Sequence, residues 1–314
     1  MKKIAKTLEF KNLIEVTTYF AEESRCKEHL YKLRWNGGEP VCPHCGHDKA
    51  YNLKKEFTYK CAKCRKPFSV TKGTIFENSP ISLQKWFVAI YLITSHKKGI
   101  SSLQLSKDIS ITQKSAWFLL QRIRYAVRTR DFNKQLENDV EIDETYVGGK
   151  NKNRHFDKRV EFSQGRSGKD KVAVFGILER KGKVVAMSVK NTSGKVLKPL
   201  ILKHVSNDAN LMSDEWNAYK GLNRFFNHQI VRHGQGEYVN GNVHTNTIEG
   251  FWSLLKRGII GIYHNVSLKH IDKYIDEFEY RYNTRHKGES ERFLNMLSKS
   301  NSRLDYATLT ANNE

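Results

Sequence analysis

The architecture of this chain turns on one run, Val140-Glu141-Ile142-Asp143-Glu144-Thr145-Tyr146-Val147-Gly148-Gly149. Its first six residues alternate apolar and polar side chains with the period of a β-strand, after a polar stretch, 128–138, that reads as a linker. Two more strands are expected at 171–179 and 183–189, paired as an antiparallel hairpin across the Lys181-Gly182 turn. The intervening 148–170, full of Gly, Lys, Arg and Asn, reads as a mobile basic loop. Beyond the hairpin the pattern gives a helix near 195–205, a short strand ending at Ser213, another short helix and strand, and two long helices at 246–262 and 267–285. Three strands, helix, strand, helix, strand and helices predict an α/β domain with a mixed sheet.

Toward the N-terminus the texture changes. Residues 82–127 have helical periodicity, with Trp86, Ala89, Ile90 and later Trp117, Leu120, Ile123 and Val127 on recurring faces. Residues 101–109, a break at Ser110-Ile111, and 112–127 suggest a helix-turn-helix. Thr112 would cap the second helix and leave Gln113, Lys114 and Ser115 on its exposed first turn, facing base edges. Arg122, Arg124, Arg128 and Arg130 are then placed for phosphate contacts. An ordinary helical hairpin with a solvated basic face is the alternative. Before this segment, Cys42-Pro43-His44-Cys45 and Cys61-Ala62-Lys63-Cys64 form two Cys-x-x-Cys pairs separated by fifteen residues. Four thiolates on two tight knuckles match tetrahedral zinc, and a closed site of that kind is structural. His44 and His47 are spare candidates, and Cys26 reads as a small buried residue.

The chain carries 54 Lys+Arg against 33 Asp+Glu, a net charge of +21. That excess fits a polyanion binder better than a metabolic enzyme, although a ribosomal or membrane-surface protein would share it. No apolar stretch follows Met1-Lys2-Lys3, and the longest apolar run, 86–93, is too short to span a bilayer. A soluble, cytoplasmic protein with no membrane partner is expected.

Chemistry is expected from Asp143, Asp214 and Glu249. The first lies within the predicted strand, the second ends the approach Leu211-Met212-Ser213, and the third opens a helix whose apolar stripe is Ile248, Trp252, Leu255 and Ile259. Two strand-end aspartates and a helical glutamate could converge at a sheet edge, where they would repel and need cations to stay ionised. Oxygen ligands of this kind suit Mg2+ or Mn2+, which can activate an attacking oxygen and steady the leaving one. For any one acid alone, a surface or capping role is the simpler reading, and Glu144 and Glu215 are taken as such bystanders. Asn246, Glu249, Ser253 and Lys256 share a helix face, joining a candidate ligand to a phosphate-binding cation. Glu277 and Arg281 are spaced as an i, i+4 surface ion pair.

At these residues the chain resembles the ISXO-like family of insertion-sequence transposases, which have an N-terminal zinc ribbon and a DDE-type catalytic domain. The resemblance rests on Arg34-Trp35 with Cys42-Pro43-His44-Cys45-Gly46, Gly73-Thr74-Ile75-Phe76-Glu77, Ala116-Trp117, Arg122-Ile123-Arg124, and Glu141 through Gly149. It continues through Ser213-Asp214, His244-Thr245-Asn246-Thr247-Ile248-Glu249-Gly250-Phe251-Trp252-Ser253, Lys256-Arg257-Gly258 and Tyr280-Arg281-Tyr282-Asn283-Thr284-Arg285. It implies an RNase H-like catalytic fold, with Asp143, Asp214 and Glu249 as metal-binding catalytic acids and Lys256 as a DNA-end contact. The thirty-four residues between Asp214 and Glu249 are in keeping with such enzymes. The family varies at its third acidic position, so Asn246 is the alternative to Glu249; a carboxylate binds magnesium better than a neutral amide.

The expected organisation is therefore an N-terminal helix and zinc ribbon over 1–76, a helical DNA-binding domain over 77–135, an RNase H-like domain over 136–290, and a C-terminal tail over 291–314, poorly ordered from about Ser298. The expected function is a transposase that binds element ends as double-stranded DNA, nicks them hydrolytically and joins the freed 3′-hydroxyl to target DNA, working as a dimer or larger assembly. A non-catalytic zinc-ribbon DNA-binding regulator, and a nuclease acting on RNA–DNA hybrids, are the competing readings.

Overall fold

A computed structural model describes residues 8–128, 135–148, 155–161, 171–264 and 266–311. The chain divides into two units: Met1–Val127 with His286–Glu314, and Arg128–Arg285. The first part contains helices α1 (Leu13–Tyr19) and α2 (Glu23–Trp35), strands β1 (Ala50–Asn52), β2 (Thr58–Cys61) and β3 (Pro67–Ser69), and helices α3 (Leu83–Ser95), α4 (Ser102–Asp108) and α5 (Gln113–Ala126). The second unit has β4 (Asp139–Gly148), β5 (Lys171–Glu179), β6 (Val184–Val189), α6 (Gly194–His204), β7 (Asn210–Ser213), β8 (Asn227–Ile230), α7 (Asn246–Gly258) and α8 (Ile271–Asn283). Helices α9 (Glu289–Ser298) and α10 (Tyr306–Thr310) then complete the first unit.

In the first unit, α3 is apolar nearly all round, as a helix buried on several sides must be. Around it Phe10, Phe20, Phe87 and Phe293 form a chain of edge-to-face and tilted rings. Phe293, Met296 and Leu297 of α9 are fully buried, and Leu304 and Leu309 nearly so. The segment expected as a C-terminal tail, 291–314, poorly ordered from about Ser298, instead contributes to the core through Leu309, because the apolar positions of α9 repeat at helical spacing and find α3 as a partner. The zinc ribbon belongs to this same unit. Thr112 does cap α5, its hydroxyl accepting from the Ser115 N–H at 3.2 Å, and Ser110 takes a left-handed backbone (φ 50°) in the turn from α4. Gln113 and Lys114 are exposed. Arg122 and Arg124 are buried, contrary to the expected phosphate contacts, since α5 is covered nearly all round over residues 119–124. Arg122 donates to the carbonyls of Leu304 and Ile75, both at 2.9 Å. Arg130 and most of the expected basic loop lie outside the described residues.

In the second unit, a five-stranded sheet has the order β6-β5-β4-β7-β8. Neighbours β4, β5 and β6 run antiparallel, and β4, β7 and β8 run parallel, giving the mixed sheet expected. One face buries Ile142, Phe175 and Ile177 against Leu197 and Ile201 of α6. The other buries Val147, Val174 and Leu178 against Ile248, Trp252, Leu255, Ile275 and Phe278 of α7 and α8. Covered on both faces, β5 reads as a continuous apolar run rather than an alternation. The short helix expected between β7 and β8 is a pair of 3-10 turns, Asn217–Tyr219 and Leu222–Arg224. Helix α7 ends sooner than expected, in a π turn at Ile259–Tyr263.

Edge strand β6 is closed by side chains of α8. The N–H groups of Val184, Ala186 and Ser188 donate to Asn283, Glu279 and Asp272. The Glu277–Arg281 pair, expected on the surface, is buried; its oxygen also accepts from the Tyr263 hydroxyl at 2.7 Å. No helix among the described residues is long and apolar enough to cross a membrane.

Candidate active site and zinc ribbon

The parallel register of β4 and β7 aligns the two aspartates. Asp139 pairs with Asn210, Val140 with Leu211 and Glu141 with Met212, so Asp214 follows the last paired row at the level of Asp143. Glu249 and Lys256 come to the same place from α7, which packs on β4 and β5. Together Asp143, Asp214, Glu249 and Lys256 line one open cleft of about 750 Å3, with Trp252, Ser253, His233 and Arg257 among the neighbouring walls. Asn246 is not part of this lining. The carboxylates share the cleft without the tight packing of the cysteine cluster described below, the one group of three or more such ligands within 4.8 Å among the described residues.

Asp143 is strongly perturbed by its surroundings. Burial pushes its carboxyl up to about 7, and the neighbouring charges of Glu144 and Asp214 add to the effect. Asp143 Oδ2 accepts a 3.0 Å hydrogen bond from Trp252 Nε1, which opposes the rise. The indole reaches it only because the strand opposite is thinned. Gly176 pairs with Asp143, and a Cβ there would lie 2.6 Å from the Trp252 ring. Glu249 accepts from the Thr245 hydroxyl at 3.0 Å, and Asp214 Oδ1 accepts from the Trp216 N–H at 3.0 Å. Carboxylates from three elements thus line one cleft, and oxygen donors of this kind fit a hard divalent cation. Lys256 and Arg257, both exposed, give the far side of the cleft a positive edge suited to phosphate.

Sequence reasoning missed several contributors. Glu144, read as a bystander, lines the cleft, and the Tyr219 hydroxyl donates to it at 2.6 Å. Burial first, then the charge of Glu144, keeps Tyr219 protonated. Glu215 accepts from the N–H groups of His233 and Gly234 and so holds the loop that carries His233 into the cleft. Trp252 was visible only as part of an apolar stripe. Buried Glu141 gave no signal beyond its place two residues before Asp143.

In the ribbon, β1, β2 and β3 form an antiparallel sheet whose apolar side chains, Tyr59 and Phe68, pack with Trp35 of α2. Each knuckle closes on itself: the Gly46 N–H donates to Cys42 O, and the Arg65 N–H to Cys61 O. The residue after each second cysteine is left-handed, Gly46 at φ 73° and Arg65 at φ 59°. The sulfurs of Cys42 and Cys64 lie 3.7 Å apart and those of Cys45 and Cys61 3.6 Å apart. Four sulfurs about 2.3 Å from a tetrahedral zinc would be about 3.8 Å from one another, so the donor set fits that ion. Burial alone would raise the Cys61 thiol, but N–H groups of Cys64 and Lys63 bring it down to about 6, toward the thiolate a metal requires. Cys26 is fully buried and stands apart from this cluster, and neither His44 nor His47 joins it.

Comparison with known proteins adds the following. Residues 135–283 match the family described as ISXO2-like transposase domain, and residues 21–67 match the transposase zinc-ribbon domain. The chain is 31% identical over 274 residues to an uncharacterized protein in transposable element ISH50 of Halobacterium salinarum, covering 83% of this chain and 91% of that one. Among solved structures, a pre-cleavage Mos1 transpososome aligns at 12% identity over 65% of this chain and 75% of its own, with a TM-score of 0.26. A Mos1 strand transfer complex aligns at 12% identity over 70% and 79%, with a TM-score of 0.28. Superpositions this loose carry no argument about this chain.

Proposed function

Because this chain belongs to the ISXO2-like family of insertion-element transposases, we propose that its cleft cuts the ends of a DNA element and joins them to target DNA. The observation that carries the proposal is the convergence of Asp143, Asp214 and Glu249, from two parallel strands and a helix, on one cleft with a basic far edge.

Asp143, Asp214 and Glu249 would hold Mg2+ or Mn2+, and a bound divalent cation supplies Lewis-acid stabilisation of the attacking and leaving oxygens. The chain's own residues do the rest. Trp252 holds Asp143 Oδ2 toward the cleft. The raised proton affinity of Asp143 leaves it short of positive charge until a cation arrives. Lys256 and Arg257 neutralise the phosphates of the DNA strand and fix its path past the acids. Glu249, rather than Asn246, serves as the third acid, because it lines the cleft and its carboxyl group is a better ligand for a hard cation than an amide. The zinc ribbon contributes folding energy through its four thiolates, while Gln113 and Lys114 on the exposed start of α5 are available to duplex DNA. Two ends act in one event, which favours at least a dimer on DNA. A chromosomal substrate places the work in the cytoplasm.

The test is a cleavage and joining assay with purified protein, Mg2+ and DNA carrying the element's terminal repeats. Wild type should nick at the element end and yield joined products, and Asp143→Ala should lower both by about 10^3-fold or more. Salt-sensitive DNA binding with no cleavage by wild type would favour the non-catalytic regulator. Cleavage of RNA–DNA hybrids without joining would favour a plain nuclease.

A further inference from the structure

Glu141 lies two residues before Asp143 on the same face of β4 and is completely buried. A buried carboxylate is costly unless its oxygens are fully engaged, so its partners are informative. One oxygen accepts from the main-chain N–H groups of Thr247 and Ile248, both at 2.9 Å. The other accepts from the Thr247 hydroxyl at 2.8 Å and from Arg180 Nε at 2.6 Å, with His244 Nδ1 at 3.3 Å.

Thr247 and Ile248 are the second and third residues of α7, where N–H groups have no acceptor inside the helix. The residue preceding the helix, Thr245, does not cap it, since its hydroxyl is directed to Glu249. The cap comes instead from the neighbouring strand. Arg180 extends the clamp by donating to the carbonyls of Asn242 at 2.7 Å and His244 at 2.9 Å, which fixes the segment entering α7.

We propose that Glu141 is a positioning residue that locks the start of α7 to β4 and thereby sets where Glu249 stands relative to Asp143. The path is short: Asp143 is two residues along the strand from Glu141, one hydrogen bond crosses to Ile248, and Glu249 is the next residue. The proposal rests on reading Asp143 and Glu249 as acids that share a divalent cation.

Three measurements on the full-length, zinc-loaded protein test it: Mn2+ affinity by calorimetry, amide exchange at the start of α7, and binding of end DNA. Glu141→Gln keeps the shape but turns an NH2 group toward donors. It should weaken Mn2+ binding by about tenfold or more, as loss of a group supporting a metal ligand does. Exchange at Thr247 and Ile248 should quicken, and DNA affinity should stay within about twofold of wild type, since the groups that contact phosphate are unchanged. Thr247→Val removes only the hydroxyl donor and should shift Mn2+ affinity less, in the same direction. It carries the test if Glu141→Gln does not fold. Wild-type Mn2+ affinity in folded Glu141→Gln, or in Thr247→Val should the first variant not fold, overturns the clamp. A wild-type protein that binds no Mn2+ at this cleft overturns the underlying metal reading instead.

Discussion

Asp143 concentrates the physical tension of the cleft. Its ordinary carboxyl value is 3.8 and burial raises it to about 7, so the folded protein holds this proton more tightly than the unfolded chain does. The sign follows directly: without metal, this group's contribution to stability is best below about pH 4 and declines as pH rises through 7. Metal-free protein should therefore lose several degrees of Tm between pH 5.5 and 8 through this group, and Asp143→Asn should abolish that part of the slope. Added Mg2+ should raise Tm more at pH 8 than at pH 5.5, where a proton competes; thermal melts at the two pH values check both statements. Trp252→Phe keeps the packing but removes the donor to Asp143, and Gly176→Ala drives a methyl against the indole. Each should lower nicking by about 10-fold or more, with DNA affinity little changed, measured as separate rate and binding experiments. Sequence alone put Asp143 forward, through its place in the predicted strand together with the family resemblance. It could not single out Trp252 or Gly176, whose roles depend on which strand lies opposite and which helix crosses over it. Glu141 was hidden for the same reason: an acid in an alternating strand looks solvent-facing until a helix start is placed on it.

The secondary elements were easier to read than their partners. Strands β4 to β8, α6 and α5 followed from periodicity and a capping threonine, and the four cysteines followed from their spacing, but the three ribbon strands did not. What periodicity does not fix is the side of a helix that will be covered. Arg122 and Arg124 look like phosphate contacts in sequence, yet α5 is covered nearly all round over residues 119–124 and both side chains are buried. Arg122→Ala should accordingly destabilise the N-terminal unit by about 2 kcal/mol or more by stranding two buried carbonyls, without altering the salt dependence of DNA binding. Similarly, α9 read as a tail because its partner α3 lies almost two hundred residues upstream. Phe293→Ala should cost about 3–5 kcal/mol in the unfolding of the N-terminal unit, as judged by denaturant titration. For the ribbon, three short strands and a small cluster offer little core of their own, so stripping zinc with a chelator should unfold residues 42–69 while the mixed sheet persists. Circular dichroism with amide exchange would resolve the two.

Over the entire chain, the excess of 54 basic over 33 acidic residues suits a polyanionic partner, while Asp143, Asp214 and Glu249 line one cleft. Affinity for duplex DNA should fall steeply with salt, and Lys114→Ala should lessen the slope of log affinity against log salt by about 0.9 if that side chain meets a phosphate. Charge sign and cysteine spacing are plain in the sequence, whereas the sharing of one cleft by three distant acids depends on strand register and helix packing. That meeting can be probed by replacing Mg2+ with Fe2+ and ascorbate, so that radicals generated at the bound ion cut the nearby backbone. Chain breaks clustered around Asp143, Asp214 and Glu249 together, suppressed by excess Mg2+ and lost in Asp143→Asn, are the predicted result. Breaks at only one of the three positions, or breaks indifferent to Mg2+, would contradict a shared cation in this cleft.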